Sequence, residues 1–251
     1  LALKNMLNDK VDYSFIRGKY THKNYKSLGV PNEKMSIICD FAFHLDKKDS
    51  EKSKLISNSI RESSKPLIGL ILRDYSSGQN REKYIRNIKK LTSILKDKGF
   101  DVYFIPTSYA YLIPENDQIF VEKILLPNPE RVINIKDLSP GEIISVFSNF
   151  DIIISARLHG AVYGTLAHVP TIHLYEGGKS IEVISEVFGD IVPLIKISDF
   201  VSGSGLKCIL EHIDAIDDKK KTSYLIKSCI KEIRSQTFPI IKETLDKIDD
   251  L

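Results

Sequence analysis

Short apolar runs alternate with longer amphipathic segments along most of this chain. Residues 66–72, 100–105 and 152–154 are rich in β-branched and other apolar side chains, which is typical of strands buried on both faces. Between such runs the apolar positions recur at helical spacing, and the amphipathic segment 81–98 ends at Gly99. The alternation predicts an α/β fold, a doubly wound parallel sheet with right-handed crossovers.

The same pattern predicts the elements that follow the first strands. Residues 132–135 are expected to form another strand, 178–187 a helix, and 191–197 an edge strand. The C-terminal stretch 223–251 has helical periodicity and contains Pro239, so one or two helices interrupted at that proline are expected.

The stretch DIIISARLHGAVYGTLAHVPTIHLYEGGK, residues 151–179, predicts a compact βαβ unit. The strand, helix and strand are expected at 152–154, 161–168 and 171–175. Arg157, Leu158 and His159 then lie in the turn between the first strand and the helix. Ligands of open parallel sheets bind outside the carboxyl ends of the strands, so these residues should border a crevice.

Arginine and histidine in that turn suit an anionic ligand. Arg157 offers a fixed fork of donors to a carboxylate or phosphate, and His159 can transfer a proton near neutral pH. Other interpretations are an ion pair of Arg157 with a surface carboxylate and a hydrogen bond of His159 to backbone at the helix start. His168 and His173, at a helix end and within a strand, are expected to serve packing.

Three more residues follow strands on the same side of the expected sheet. Arg73 comes after the strand at 66–72, and Glu176 and Lys179 come after the strand at 171–175. If the sheet order is the usual one, their side chains share the rim of the crevice with Arg157.

Composition excludes several classes of protein. The 251 residues include 36 Lys and Arg and 33 Asp and Glu, a net charge of +3 that does not indicate nucleic-acid binding. Three cysteines without metal-type spacing fit reduced thiols, which favours a cytoplasmic protein. No apolar run approaches transmembrane length, and the first ten residues lack the apolar core of a signal peptide.

The segment SARLHGAVYGTLAHVPTIHLYEGGK resembles the signature of the polysaccharide pyruvyl transferase family. In that family an R-L-H triplet precedes a helix of small residues, a V-P step and a later lysine. The resemblance implies a fold similar to two-domain glycosyltransferases of the B type. It also implies transfer of a pyruvyl group from phosphoenolpyruvate onto a sugar of a cell-surface polysaccharide or its precursor.

The resemblance gives each site residue an expected role. Arg157 and Lys179, with Arg73, would hold the carboxylate and phosphate of phosphoenolpyruvate, and His159 would carry the proton. Glu176 would hold a sugar hydroxyl. Leu158 lies inside the triplet and is expected to contact the substrate.

Two residues of the N-terminal segment complete the predicted site. In the family, an arginine at a strand end, a short helix, a glycine-valine step and a strand ending in aspartate before phenylalanine close the first domain. Arg17 and Asp40 hold these positions here. They are expected either to face the cleft or to form an interdomain salt bridge.

The resemblance also suggests a division into domains. Residues 1–48 would be the end of an N-terminal Rossmann-like lobe that is mostly missing, and 49–65 a linker. Residues 66–215 would be the C-terminal Rossmann-like lobe, and 216–251 a helical segment expected to cross back to the first lobe by analogy.

The expected partners are phosphoenolpyruvate and a saccharide or lipid-linked saccharide, with no cofactor, no metal and no nucleic acid. Peripheral membrane association and the oligomeric state stay open. Two other functions stay open as well, a sugar-nucleotide glycosyltransferase on the same scaffold and an anion-binding relative without turnover. In the glycosyltransferase, Arg157 and Lys179 would hold a diphosphate.

Overall fold

The computed structural model describes residues 2–75, 79–110, 115–125, 131–216 and 219–249. Its strands are β1 Ser14–Ile16, β2 Met35–Ile37, β3 Leu67–Ile71, β4 Asp101–Phe104, β5 Ile152–Ser155, β6 Thr171–Tyr175 and β7 Leu194–Lys196. The helices of the first half are α1 Ala2–Asp9, α2 Lys19–Ser27, α3 Glu51–Arg61, α4 Gln79–Asp97 and α5 Asp117–Leu125. Those of the second half are α6 Pro140–Phe147, α7 Leu158–Leu166, α8 Gly178–Ser180, α9 Glu186–Phe188, α10 Ile197–Ser202, α11 Ser204–Asp214 and α12 Lys219–Asp249.

Five parallel strands in the order β4-β3-β5-β6-β7 form the main sheet, which confirms the predicted fold class. The chain adds β4 on one side of β3 and then returns to place β5 on the other side. This topological switch point opens a crevice outside the carboxyl ends of β3 and β5. Arg73 and Arg157, which follow these two strands, are therefore brought to the same place.

Helix α7 lies close to the sheet because small residues face the strands. A Cβ atom at Gly160 would lie 2.5 Å from Ser155 Oγ, and one at Gly164 would lie 2.6 Å from Thr171 Oγ1. Neither approach leaves room for a side chain. The two glycines thus fix the height of the helix over β5 and β6, and with it the position of the turn at Arg157.

Four of the expected elements differ from the observed ones. The helix expected at 161–168 covers Leu158–Leu166, so Leu158 and His159 lie in its first turn and only Arg157 precedes it. Residues 132–135 form an isolated bridge from Val132 to Phe104, at the end of edge strand β4. The helix expected at 178–187 runs to Phe188 with a π-helical turn at Ile181–Ser185. The edge strand is confirmed, but it covers Leu194–Lys196 alone.

Helix α12 continues through Pro239 without interruption, so the expected break is wrong within the described residues. Proline removes one backbone donor and normally kinks a helix. Here buried residues on both sides of it, among them Ile230, Thr237 and Thr244, keep one face against the protein. Burial of that face outweighs the lost hydrogen bond.

The N-terminal residues 2–45, which contain α1, β1, α2 and β2, form a small unit that is called the N-terminal unit below. Strands β1 and β2 pair in parallel, and Leu7, Ile16, Val30 and Met35 pack together beneath them. Helix α3, inside the segment predicted as a linker, buries Ile60 and packs against α6.

Contacts from the second half of the chain hold this N-terminal unit in place. Arg234 of α12 donates hydrogen bonds of 2.6 Å to the carbonyl oxygens of Phe43 and Leu45. The carboxylate of Glu182 accepts from the backbone N–H of Thr21 at 2.8 Å, in the first turn of α2. Within the described ranges, none of the helices combines the length and the apolar character that crossing a bilayer requires.

Candidate functional site

A cavity of about 680 Å³ lies at the carboxyl ends of β3, β5 and β6. Six of the residues predicted from the sequence line it: Arg73, Arg157, Leu158, His159, Glu176 and Lys179. They come from three separate strand ends, which the parallel sheet brings to one edge. The structure thus brings these six side chains together, and their chemical roles stay predictions.

The turn that presents Arg157 is held by the last residue of β5. Ser155 Oγ accepts a hydrogen bond from the Arg157 N–H at 3.1 Å and donates one to the Arg157 carbonyl at 2.7 Å. Arg157 therefore occupies the position before α7 in an extended conformation, with φ of −110° and ψ of 131°. This local turn points the guanidinium toward the cavity.

The guanidinium of Arg157 forms a forked ion pair with Asp117. Arg157 Nη2 lies 2.6 Å and Nε 3.1 Å from Asp117 Oδ1, and Nη2 also donates to the Glu115 carbonyl at 3.2 Å. Asp117 is 0 % exposed, whereas the Arg157 side chain is 24 % exposed. Nη1 has no hydrogen-bond partner among the described residues, so one edge of the guanidinium is available to a ligand.

Asp117 is the principal site residue that the sequence analysis did not single out. It also accepts hydrogen bonds from the backbone N–H groups of Thr107, at 3.2 Å, and Ser108, at 2.9 Å. It is the first residue of α5, so an acidic residue at a helix start was the available signal. Asp117 joins the loop after β4 to the turn after β5.

The other two cations of the cavity differ in their pairing. Arg73 Nη2 lies 3.4 Å from Glu176 Oε2, and both side chains are partly exposed. Lys179 is exposed and, in the part of the chain that the structure describes, forms no ion pair. Arg73 thus has a carboxylate neighbour at the rim of the cavity, while Lys179 has none among the described residues.

His159 lies between this cavity and a second one of about 410 Å³. Its ring stacks on Tyr163 with the centroids 6.3 Å apart. The second cavity is lined by Arg17 and Asp40, which form a 2.8 Å salt bridge with each other inside the N-terminal unit. Their ion pair lies within the N-terminal unit, so it is not the interdomain salt bridge given as one expectation, while both residues border a cavity that also reaches His159.

His173, for which packing was expected, is buried in β6 and lines the main cavity. Its Nδ1 lies 2.8 Å from the Ser155 carbonyl oxygen and its Nε2 2.9 Å from Ser180 Oγ. Burial lowers the pKa of His173 to about 4. The imidazole is therefore neutral at physiological pH and bridges two neighbouring elements of the site.

Acid is expected to destabilise the protein through His173. Its pKa is about 4 in the folded protein and about 6.5 in the unfolded chain, so the unfolded chain binds the proton first. The contribution is fully present above pH 6.5 and is lost as the pH falls toward 4, a loss of about 3 kcal/mol in the free energy of unfolding. Urea unfolding at a series of pH values measures it.

The variant His173→Phe, which cannot titrate, is the control for this prediction. Its free energy of unfolding should depend less steeply on pH between 6.5 and 4 than that of the wild type, since every other titrating group is retained. Parallel pH dependences would show that His173 does not carry the effect.

The family model of polysaccharide pyruvyl transferases matches residues 1–177, more than half of the chain. The chain belongs to this family. Among curated proteins, none is similar enough in sequence to count as a match. In the described residues, no group of three or more His, Cys, Asp or Glu side chains is arranged to hold a metal ion.

Solved structures show the fold of this pyruvyl transferase family member. A glycosyltransferase from Rickettsia africae superposes with a TM-score of 0.61 at 13 % identity, covering 99 % of this chain and 66 % of that one. HepE from Anabaena, solved with UDP-glucose, gives 0.60 at 12 % identity, covering 100 % and 67 %. The chain thus has the fold of B-type glycosyltransferases and spans about two thirds of the length of these neighbours.

Proposed function

We propose that this protein transfers a pyruvyl group from phosphoenolpyruvate onto a pair of hydroxyls of a saccharide, forming a ketal. The observation that carries the proposal is the placement of Arg73, Arg157 and Lys179 around one cavity with His159 at its side. Family membership supports the reaction class, and the cavity supports a small ligand that bears more than one negative charge.

The cations would hold the two anionic groups of the donor. Phosphoenolpyruvate carries a carboxylate and a phosphate, so it matches a site with several cationic donors, of which Arg157 is held in place before the ligand arrives. Arg157 is the best oriented of these, because Asp117 fixes its guanidinium through Nε and Nη2 and leaves Nη1 without a hydrogen-bond partner among the described residues. Arg73 and Lys179, on the strand ends at either side, complete the anion site.

His159 would move the proton that the reaction requires. The methylene carbon of phosphoenolpyruvate gains a proton and becomes the methyl group. Both saccharide hydroxyls lose theirs as their oxygens bond to the central carbon, and phosphate leaves with the remaining proton. His159 lines both the main cavity and the second cavity, which supports a role for its imidazole in this proton transfer.

A second candidate is a sugar-nucleotide glycosyltransferase, in which Arg157 and Lys179 would hold the diphosphate. The observation that favours it is the fold shared with HepE, which was solved with UDP-glucose. At 12 % identity that likeness concerns the fold alone. A third candidate is a relative that binds the anion without turnover.

Phosphate release distinguishes these functions. The protein is incubated with phosphoenolpyruvate and a panel of methyl glycosides of glucose, galactose, mannose and N-acetylglucosamine, and inorganic phosphate is measured over time. We expect release that requires a glycoside, with the pyruvylated glycoside detected by mass spectrometry.

Two further results would overturn the proposal in different ways. Thermal stabilisation by uridine diphosphate but not by phosphoenolpyruvate would favour the glycosyltransferase. Stabilisation by phosphoenolpyruvate without phosphate release from any glycoside would favour binding without turnover.

A further inference from the structure

Ser180, which follows Lys179 in the chain, lies in the wall of the main cavity and is largely buried. Its Oγ is 2.9 Å from His173 Nε2, and the other ring nitrogen of His173 is 2.8 Å from the Ser155 carbonyl oxygen. The three groups form a chain of hydrogen bonds from the end of β5, through β6, to the first turn after β6.

The chemistry of the carbonyl group fixes the direction of every hydrogen bond in this chain. A carbonyl oxygen can only accept, so the proton of the neutral imidazole must lie on Nδ1 of His173. Nε2 is then an acceptor, and the partner that donates to it is the hydroxyl of Ser180. The hydroxyl proton of Ser180 is therefore engaged in the hydrogen bond to His173, and only the lone pairs of Oγ remain to accept a hydrogen bond from a ligand.

We propose that Ser180 is a specificity-determining residue whose hydroxyl oxygen accepts a hydrogen bond from a hydroxyl of the saccharide, and that His173 is the positioning residue that sets this polarity. The assignment rests on the proposed function. It names a contact for the acceptor inside the cavity that holds the donor.

The polarity of Ser180 decides which substrate it contacts. The carboxylate and phosphate of phosphoenolpyruvate carry acceptor oxygens, which would face the lone pairs of Ser180 unfavourably. A saccharide hydroxyl can donate a hydrogen bond to these lone pairs, so it is a suitable partner for Ser180. Lys179, beside Ser180 in sequence, is a cationic hydrogen-bond donor and would attract the anion instead.

Ser180 and His173 are assigned to orientation of the hydroxyl, and its deprotonation belongs to another group. With a pKa of about 4, His173 would hold a proton in only about one molecule in a thousand at pH 7. It is therefore a poor destination for a proton taken from the saccharide. His159 keeps that role.

The first test compares Ser180→Ala with the wild type in the phosphate-release assay, using the methyl glycoside with the highest turnover. Losing one neutral hydrogen bond should raise KM for the glycoside roughly fivefold to tenfold and leave KM for phosphoenolpyruvate within about twofold. Ser57→Ala is the matched control. Ser57 is also a buried, hydrogen-bonded serine, but it lies in α3 outside the cavity, so both KM values should be unchanged.

Monodeoxy analogues of that glycoside, used as inhibitors, identify the hydroxyl. One analogue should bind the wild type and Ser180→Ala equally, because it lacks the group that Ser180 contacts. The other analogues should bind the variant more weakly than they bind the wild type. His173→Phe should raise the glycoside KM as Ser180→Ala does, and the double variant should raise it no further, since one hydrogen-bond chain is removed in each case.

Each remaining outcome counts against the assignment. A rise in KM for phosphoenolpyruvate with an unchanged glycoside KM would show that Ser180 donates to the anion. If the KM values of Ser180→Ala for the glycoside and for phosphoenolpyruvate both equalled those of the wild type, Ser180 would not belong to the site. An unchanged thermal midpoint of the variant would agree with this, and the proposed function would stand. Absence of phosphate release by the wild-type protein would overturn the proposed function and the assignment with it.

Discussion

The variant Arg157→Ala should lower kcat/KM for phosphoenolpyruvate by at least about a hundredfold. A fixed donor to a developing negative charge typically contributes about 3 kcal/mol to the transition state. In this site the guanidinium is fixed on two of its nitrogens by Asp117, so its remaining edge is held ready for the anion. The initial rate of phosphate release at low phosphoenolpyruvate concentration measures the effect.

Arg131→Ala is the matched control for this variant. Arg131 also forms an ion pair, 3.1 Å from Asp101, and its side chain is 32 % exposed, but it is not among the residues that line the cavity. Its loss should leave kcat/KM unchanged. If Arg157→Ala were as active as Arg131→Ala, Arg157 would serve the fold alone and the anion site would need another assignment.

The part of the site that the sequence predicts follows from local pattern and one rule of topology. A short β-branched run before SARLHG indicates a buried strand, and ligands of open parallel sheets bind outside the carboxyl ends of the strands, at one edge of the sheet. Arg73, Arg157 and Lys179 are therefore expected together from the sequence alone, and the structure has all three around one cavity.

The remaining part depends on packing that no local pattern encodes. Asp117 lies forty residues before Arg157, and their pairing depends on the tertiary placement of the start of α5 beside the turn after β5. The contact of His173 with Ser155 depends on the register between β5 and β6, which pairs these two residues directly. Sequence spacing alone gives no information about either contact.

Loss of the Asp117 carboxylate should affect the fold and the site together. We expect Asp117→Ala to lower the free energy of unfolding by about 3 to 5 kcal/mol, the usual consequence of removing one partner of a buried ion pair. The backbone N–H groups of Thr107 and Ser108 lose their acceptor as well. Urea unfolding measures the loss, and phosphate release should fall with it because Arg157 is no longer held.

The double variant Asp117→Ala with Arg157→Ala separates the two roles of this pair. With both charges gone, no unpaired guanidinium remains, so part of the lost stability should return relative to Asp117→Ala alone. Activity should not return, because the donor that faces the anion is absent. If the stability losses of the single variants simply added, the two charges would not interact in the folded protein. Asp117 would then stabilise only the loop at Thr107 and Ser108, and the orientation of Arg157 would have to come from the turn at Ser155 alone.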